Sequence, residues 1–170
     1  MEAKHGSGAG ALFMPSFREF EKRVFRNIRR NEIEKLVIDL RFNEGGIASQ
    51  GSDFIKRLSR TRLNGKRKIF VLIGRSTSAA AVVHAVELIN QTDAVTVGEP
   101  TGGRPNHFGD IHRFVLPESG LVVSYPARYI HLMEGDPPAL RPDIEVPCYF
   151  SDYMNGVDAC LDAVLQYGEK

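Results

Sequence analysis

The spacing of apolar and polar positions changes period along the chain, and each change marks an element. Phe17, Phe20, Val24, Phe25 and Ile28 recur at helical spacing, with Arg18, Lys22, Arg26 and Arg29 on the opposite side. Ser16 with Glu19 three residues later reads as a capping box, so a helix with a solvated basic face is predicted to start there. Residues 35–40 form a β-branched run suited to a strand buried on both faces, ending in Arg41-Phe42-Asn43-Glu44-Gly45-Gly46. A helix over 47–58, a second apolar strand over 68–73 and a small-residue turn over 74–81 follow. Val82, Val83, Val86 and Ile89 continue that turn as a helix, and a third strand over 94–97 runs into the loop 98–107.

Beyond this loop the period turns from helical to alternating. Residues 112–116 and 121–125 flank Pro117-Glu118-Ser119-Gly120, which predicts a β-hairpin, and 127–132 reads as a further strand. Asn155-Gly156-Val157-Asp158 opens a closing helix whose buried stripe is Val157, Cys160, Leu161, Val164 and Leu165, stopped at Gly168. The expectation is one α/β domain over residues 16–170. Residues 1–15, rich in Gly, Ala and Ser at their start, read as a flexible arm or a cloning remnant.

Composition narrows the function classes. The chain has 170 residues, 42% hydrophobic and 25% charged, which is the profile of a folded globular domain. Its 22 Lys and Arg against 21 Asp and Glu leave a net charge of +1, without the basic excess of a nucleic-acid binder. Cys148 and Cys160 have neither the spacing nor the histidine partners of a zinc site, and read as buried thiols. No apolar run approaches the length of a membrane span, no leader pattern is present, and neither a cofactor nor a metal is implied. The chain carries no signal for a compartment and nothing that sets an oligomeric state.

Three loops leave the carboxyl ends of predicted parallel strands: 43–46, 74–81 and 98–107. In α/β folds such loops converge on one edge, where ligands bind. Gly45 and Gly46 could present unhindered amides to a developing oxyanion, each worth on the order of 3 kcal/mol. Ser76, Thr77 and Ser78 stand at a helix entry, where a serine serves either as a nucleophile or as a helix cap.

Taken in order, the run from Leu36 to Gly46, the serine-rich turn before an alanine-rich helix, Val97-Gly-Glu-Pro-Thr-Gly-Gly103, Leu116-Pro-Glu-Ser-Gly-Leu121, and Arg141-Pro-Asp-Ile144 ahead of Asn155-Gly-Val-Asp158 resemble the tail-specific, or C-terminal processing, serine peptidases. The resemblance covers about residues 17–165, without a PDZ module. It implies a catalytic core related to the ClpP and crotonase fold, built of strand-turn-helix units with an added hairpin and a C-terminal helix. It also implies a peptide or protein substrate and amides of Gly45 and Gly46 in the oxyanion hole. By the same carry-over Ala80, Gly102 and Gly103 are expected along the substrate-binding cleft. Members often work outside the cytoplasm.

The departures from the pattern are chemical. Laid on the family without gaps, the nucleophile position falls on Ala79 and the position of the general-base lysine falls on Arg104. Alanine has no nucleophile, and a guanidinium stays protonated far above neutrality. A register shifted by one makes Ser78 the nucleophile but needs an inserted residue before Gly98; the ungapped register is preferred. His107 is the candidate base, since an imidazole can accept a hydroxyl proton. His84 reads as structural, and Asp39 and Arg41 as a framework pair. The leading expectation is a serine peptidase core that is inactive as written, either a serine replaced by alanine or a natural pseudoenzyme. The alternatives are a noncatalytic peptide-binding pseudoprotease and an acyl-CoA enzyme of the crotonase type.

Overall fold

A computed structural model describes residues 16–65 and 67–168, so the expected arm at 1–15 lies outside the described residues. The chain builds α1 (Phe17–Arg30), β1 (Leu36–Asp39), α2 (Ala48–Leu58), β2 (Ile69–Ile73), α3 (Ala80–Gln91) and β3 (Val95–Gly98). It continues with β4 (His107–Val115), β5 (Val122–Ile130), β6 (Ile144–Glu145), α4 (Phe150–Met154) and α5 (Ala159–Gln166). Strands β1, β2, β3 and β6 lie side by side in that order, all parallel, and β4 and β5 form a separate antiparallel pair.

β2 is the hinge of the packing. Its five residues Ile-Phe-Val-Leu-Ile are all buried, and because strand side chains alternate, they feed two cores. Ile69, Val71 and Ile73 pack with Phe25 and Ile28 of α1, Ile55 and Leu58 of α2, and Val82 and Leu88 of α3. Phe70 and Leu72 pack on the other face with Val95, Val97, and Cys160 and Val164 of α5. The strands are laid down in sequence order and parallel crossovers are right-handed, so α2 and α3 come to the same face.

Helix α1 starts where the capping box places it: Ser16 Oγ accepts from the Glu19 amide at 3.2 Å. The apolar stripe is less buried than its spacing suggests, since Phe20 is exposed. Strand β1 is not buried on both faces. Among the described residues it ends the sheet, with one neighbour, and its residues are half-buried or exposed.

The hairpin is longer than the alternation implies. The expected extra strand over 127–132 is the second half of β5, which runs through Pro126 without a break. In a two-stranded ribbon each strand has a free edge, so a missing N–H can face outward. Of the stripe expected in the last helix, Cys160 and Val164 are buried, whereas Val157, Leu161 and Leu165 are exposed. That helix runs over one layer of the sheet, and only one turn-face of it meets apolar partners. Cys148 is exposed, against the expectation of two buried thiols, and both cysteines are free.

Candidate functional site

The loops after β1, β2 and β3 meet. Thr77, fully buried, donates through Oγ1 to the Leu40 carbonyl at 2.8 Å and accepts from the Gly74 amide at 2.9 Å, tying the end of β1 to the turn after β2. The Ser78 amide donates to the Asn43 carbonyl at 3.2 Å, and Ser78 Oγ to the Glu44 carbonyl at 3.1 Å. The Gly103 amide donates to the Thr77 carbonyl at 3.0 Å, which brings in the third loop. A Cβ at Gly102 would fall 1.9 Å from the Arg75 carbonyl oxygen, and one at Gly103 would fall 2.7 Å from Ser78 Cα, so these two positions admit no side chain.

Ala79 stands where these loops converge, as the residue that caps α3, with φ +48° and ψ −122°. A non-glycine residue in that region costs on the order of 1–3 kcal/mol, and such outliers cluster at functional sites. A sharp strand-to-helix elbow of this kind serves to hold a nucleophile clear of the backbone. Gly45, with φ +134°, faces it: a Cβ built on Gly45 would stand 3.0 Å from Ala79 Cβ and 3.7 Å from the Ala80 nitrogen. Glycine meets both demands at once, the positive φ and the close approach.

Donors are distributed unevenly around this point. The Gly45 amide is already taken, donating to Asn43 Oδ1 at 2.9 Å in an Asx-type turn. Among the described residues the amides of Gly46 and Ala80 have no partner. Ala80 opens α3, where amides point outward and the helix dipole favours negative charge. Beside Gly45 and Gly46 lies a cavity of about 350 Å3 whose walls include Phe17, Phe20, Ile47 and Phe54.

His107 begins β4, and its Nδ1 lies 3.0 Å from the Arg104 carbonyl and 3.3 Å from that of Pro105. Carbonyls only accept, so this network assigns the proton to Nδ1 and leaves Nε2 as the basic nitrogen. Arg104 is exposed and paired with Asp136, Nη2 to Oδ2 at 3.1 Å. His84 is structural: its Nε2 lies 2.9 Å from the Ala48 carbonyl, and its ring covers Gly51 so tightly that a Cβ there would come within 2.3 Å.

Behind the site Arg41 joins the first and last thirds of the chain. It donates Nε to Asp39 Oδ1 at 3.0 Å and Nη2 to Asp39 Oδ2 at 2.7 Å. Its Nη1 and Nη2 also reach the two oxygens of Asp158, each at 2.8 Å. The guanidinium is held far up in pKa, first by Asp39 and then by Asp158. Burial pushes the Asp39 carboxyl up, but the hydrogen bonds from Arg41 outweigh it and hold the group below its ordinary value. Asp158 is lowered chiefly by Arg41, and it also caps α5, accepting from the Leu161 amide at 3.0 Å. The framework reading of Asp39 and Arg41 therefore extends to Asp158, which sequence spacing had no means to supply.

Asn43 and Thr77 also emerge only from the structure as parts of the site. The spacing of Asn43 two residues before Gly45 was the available sign, since Asn side chains commonly bond an amide two positions on.

The model of peptidase family S41 matches residues 8–64. None of the curated proteins matches the chain by sequence. Among solved structures, a candidate S41 protease from Bacteroides fragilis superposes with a TM-score of 0.66 at 15% identity, covering 96% of this chain and 51% of that one. A candidate peptidase from Parabacteroides merdae gives 0.60 at 18%, covering 95% and 57%. A photosystem II D1 C-terminal processing protease gives 0.53 at 18%, covering 82% and 40%. The chain thus spans about half the length of the first two. Peptidase family S41 is the family this chain resembles, in sequence over its first third and in fold over nearly all of its length.

Proposed function

We propose that the chain is the core of a serine-type peptidase whose nucleophile position, Ala79, has no hydroxyl, so that it holds a peptide without cutting it. The observation that carries the reading is the strained elbow at Ala79 set against Gly45. Alanine gains nothing from that conformation, and the backbone cost is met by the bonds of Thr77, Ser78 and Gly103 around it. A serine in the same place would carry its oxygen toward the gap between the two loops. The Gly46 and Ala80 amides would then receive the oxyanion, and Gly45 would act by shape, its own amide being spent on Asn43.

Ser78 is the weaker candidate, because its Oγ already donates to the Glu44 carbonyl. His107, with Nε2 basic, is the base we assign to a restored serine, and Arg104 has no part in proton transfer. The apolar cavity beside Gly45 suits an uncharged side chain of an extended peptide. The peptide-binding pseudoprotease is favoured over the acyl-CoA reading because Asp39, beside the cavity, and Glu99, in the third loop, are held in ion pairs by Arg41 and Arg75 rather than poised as a base.

The test is Ala79→Ser, with and without Ser78→Ala, treated with a fluorophosphonate and assayed on peptide esters. Labelling that follows the new serine and survives Ser78→Ala is the expected result. Labelling of the unaltered chain at Ser78 would overturn the assignment.

A further inference from the structure

The chain is nearly neutral, yet its charge is separated. Residues 16–67 hold fourteen Lys and Arg against seven Asp and Glu, whereas residues 68–168 hold six against twelve. Part of the positive excess rims a surface cleft of about 490 Å3 between the C-terminal half of α1 and the end of α2 with the segment after it. Its floor is Phe25 and Ile28, both buried, and its rim carries Arg29, Arg57, Arg60 and Arg62. Among the described residues no acidic side chain lines it.

The four arginines differ in what already satisfies them. Arg57 lies over the Phe25 ring at 4.2 Å from its centroid and against the Glu21 carboxylate, in an ion pair without a well-aligned hydrogen bond. Arg62 donates Nε and Nη2 to the Ile28 carbonyl at 3.1 and 2.8 Å, and Nη2 also to that of Asn31. Carbonyls occupy its hydrogens but leave its charge uncancelled. The side chains of Arg29 and Arg60, both exposed, make no ion pair or hydrogen bond among the described residues. Three uncompensated guanidinium groups therefore share one concavity, and like charges so placed repel one another until an anion joins them.

We propose that this cleft binds phosphoryl groups. A guanidinium is a planar fork of donors that matches phosphate oxygens two at a time, and a dianion can satisfy several forks together. Arg62 has a second effect: it covers the carbonyls that end α1, the negative pole that would otherwise repel an anion there. Arg29 and Arg60 supply the free donors, and the floor of Phe25 and Ile28 keeps the charges on one side.

The experiment titrates the full chain with inorganic phosphate and pyrophosphate by calorimetry, and separately with phosphatidylglycerol vesicles by flotation. The expected result is saturable binding that weakens about tenfold or more in Arg29→Ala with Arg60→Ala, and recovers in part with lysine at both positions. The pair Arg113→Ala with Arg128→Ala, on the hairpin, removes equal charge and should leave binding unchanged. Vesicle binding displaced by pyrophosphate assigns the phosphoryl group to a lipid headgroup. Pyrophosphate binding without vesicle binding assigns it to a soluble phosphate, and both support the site. Binding that is absent, that falls equally in both double variants, or that favours a polyglutamate peptide over pyrophosphate overturns it.

Discussion

The parallel sheet and the β4–β5 hairpin use strands for opposite purposes. Every residue of β2 is buried, and each of its faces seals a separate core. Along β4 only His107 and Gly109 are even half-buried, and along β5 only Val123 and Ile130 are. The hairpin is held by its own cross-strand pairs, among them Phe108 with Tyr129 at 4.9 Å between ring centroids and Phe114 with Tyr125 at 5.9 Å. Such pairs contribute roughly 0.2–1 kcal/mol each, and an isolated hairpin is marginal in water. The comparison shows where the molecule keeps its rigidity: in the layer that aims the three strand-end loops.

The largest effect follows from truncating the sheet. Leu72→Ala should cost about 3 kcal/mol in chemical denaturation, whereas Ile111→Ala, at an exposed hairpin position, should stay within about 0.5 kcal/mol. Equal costs would break the contrast. Gly102→Ala probes the junction between the two regions. Its Cβ has no room against the Arg75 carbonyl, so a loss of about 2 kcal/mol is expected, with the loop leading to the hairpin displaced.

Arg41→Ala should cost about 1 kcal/mol at neutral pH, because both its carboxylates are partly exposed. Asp39 and Asp158 have lowered pKa values in the folded chain, so this contribution is complete above the unfolded carboxylate pKa near 4 and fades as pH falls through the lower folded values. Denaturation curves of the two proteins should therefore converge in acid; a constant gap down to pH 2 would separate Arg41 from that linkage. The smallest effect concerns reactivity rather than stability. Burial raises the Cys160 thiol to about 11, so a maleimide at neutral pH should modify Cys148 first and Cys160 only on unfolding.

What the sequence discloses tracks the range of the forces involved. The capping box at Ser16, the buried run of β2 and the helices around it are local patterns, and they are legible. The composition of β1 matches that of β2 and implies burial on both faces; its place at the sheet edge is decided by strand order, which no window of residues carries. α4 has no buried residue and β6 has two residues, so neither leaves a periodic trace. Of the candidate site, the three loops and the Gly45–Ala79 encounter follow from strand ends meeting at one edge. The occupied amide of Gly45, the buried hydroxyl of Thr77 and the reach of Arg41 to Asp158 depend on contacts between distant segments.

The hydrogen bonds that bend the chain at Ala79, from the backbone and from the hydroxyls of Thr77 and Ser78, join Leu40, Asn43, Glu44, Thr77, Ser78 and Gly103, and none depends on the side chain that stands there. The shape of the elbow is thus inherited from its neighbours. A single residue exchange at that position can alter the side chain on offer while the scaffold stays still.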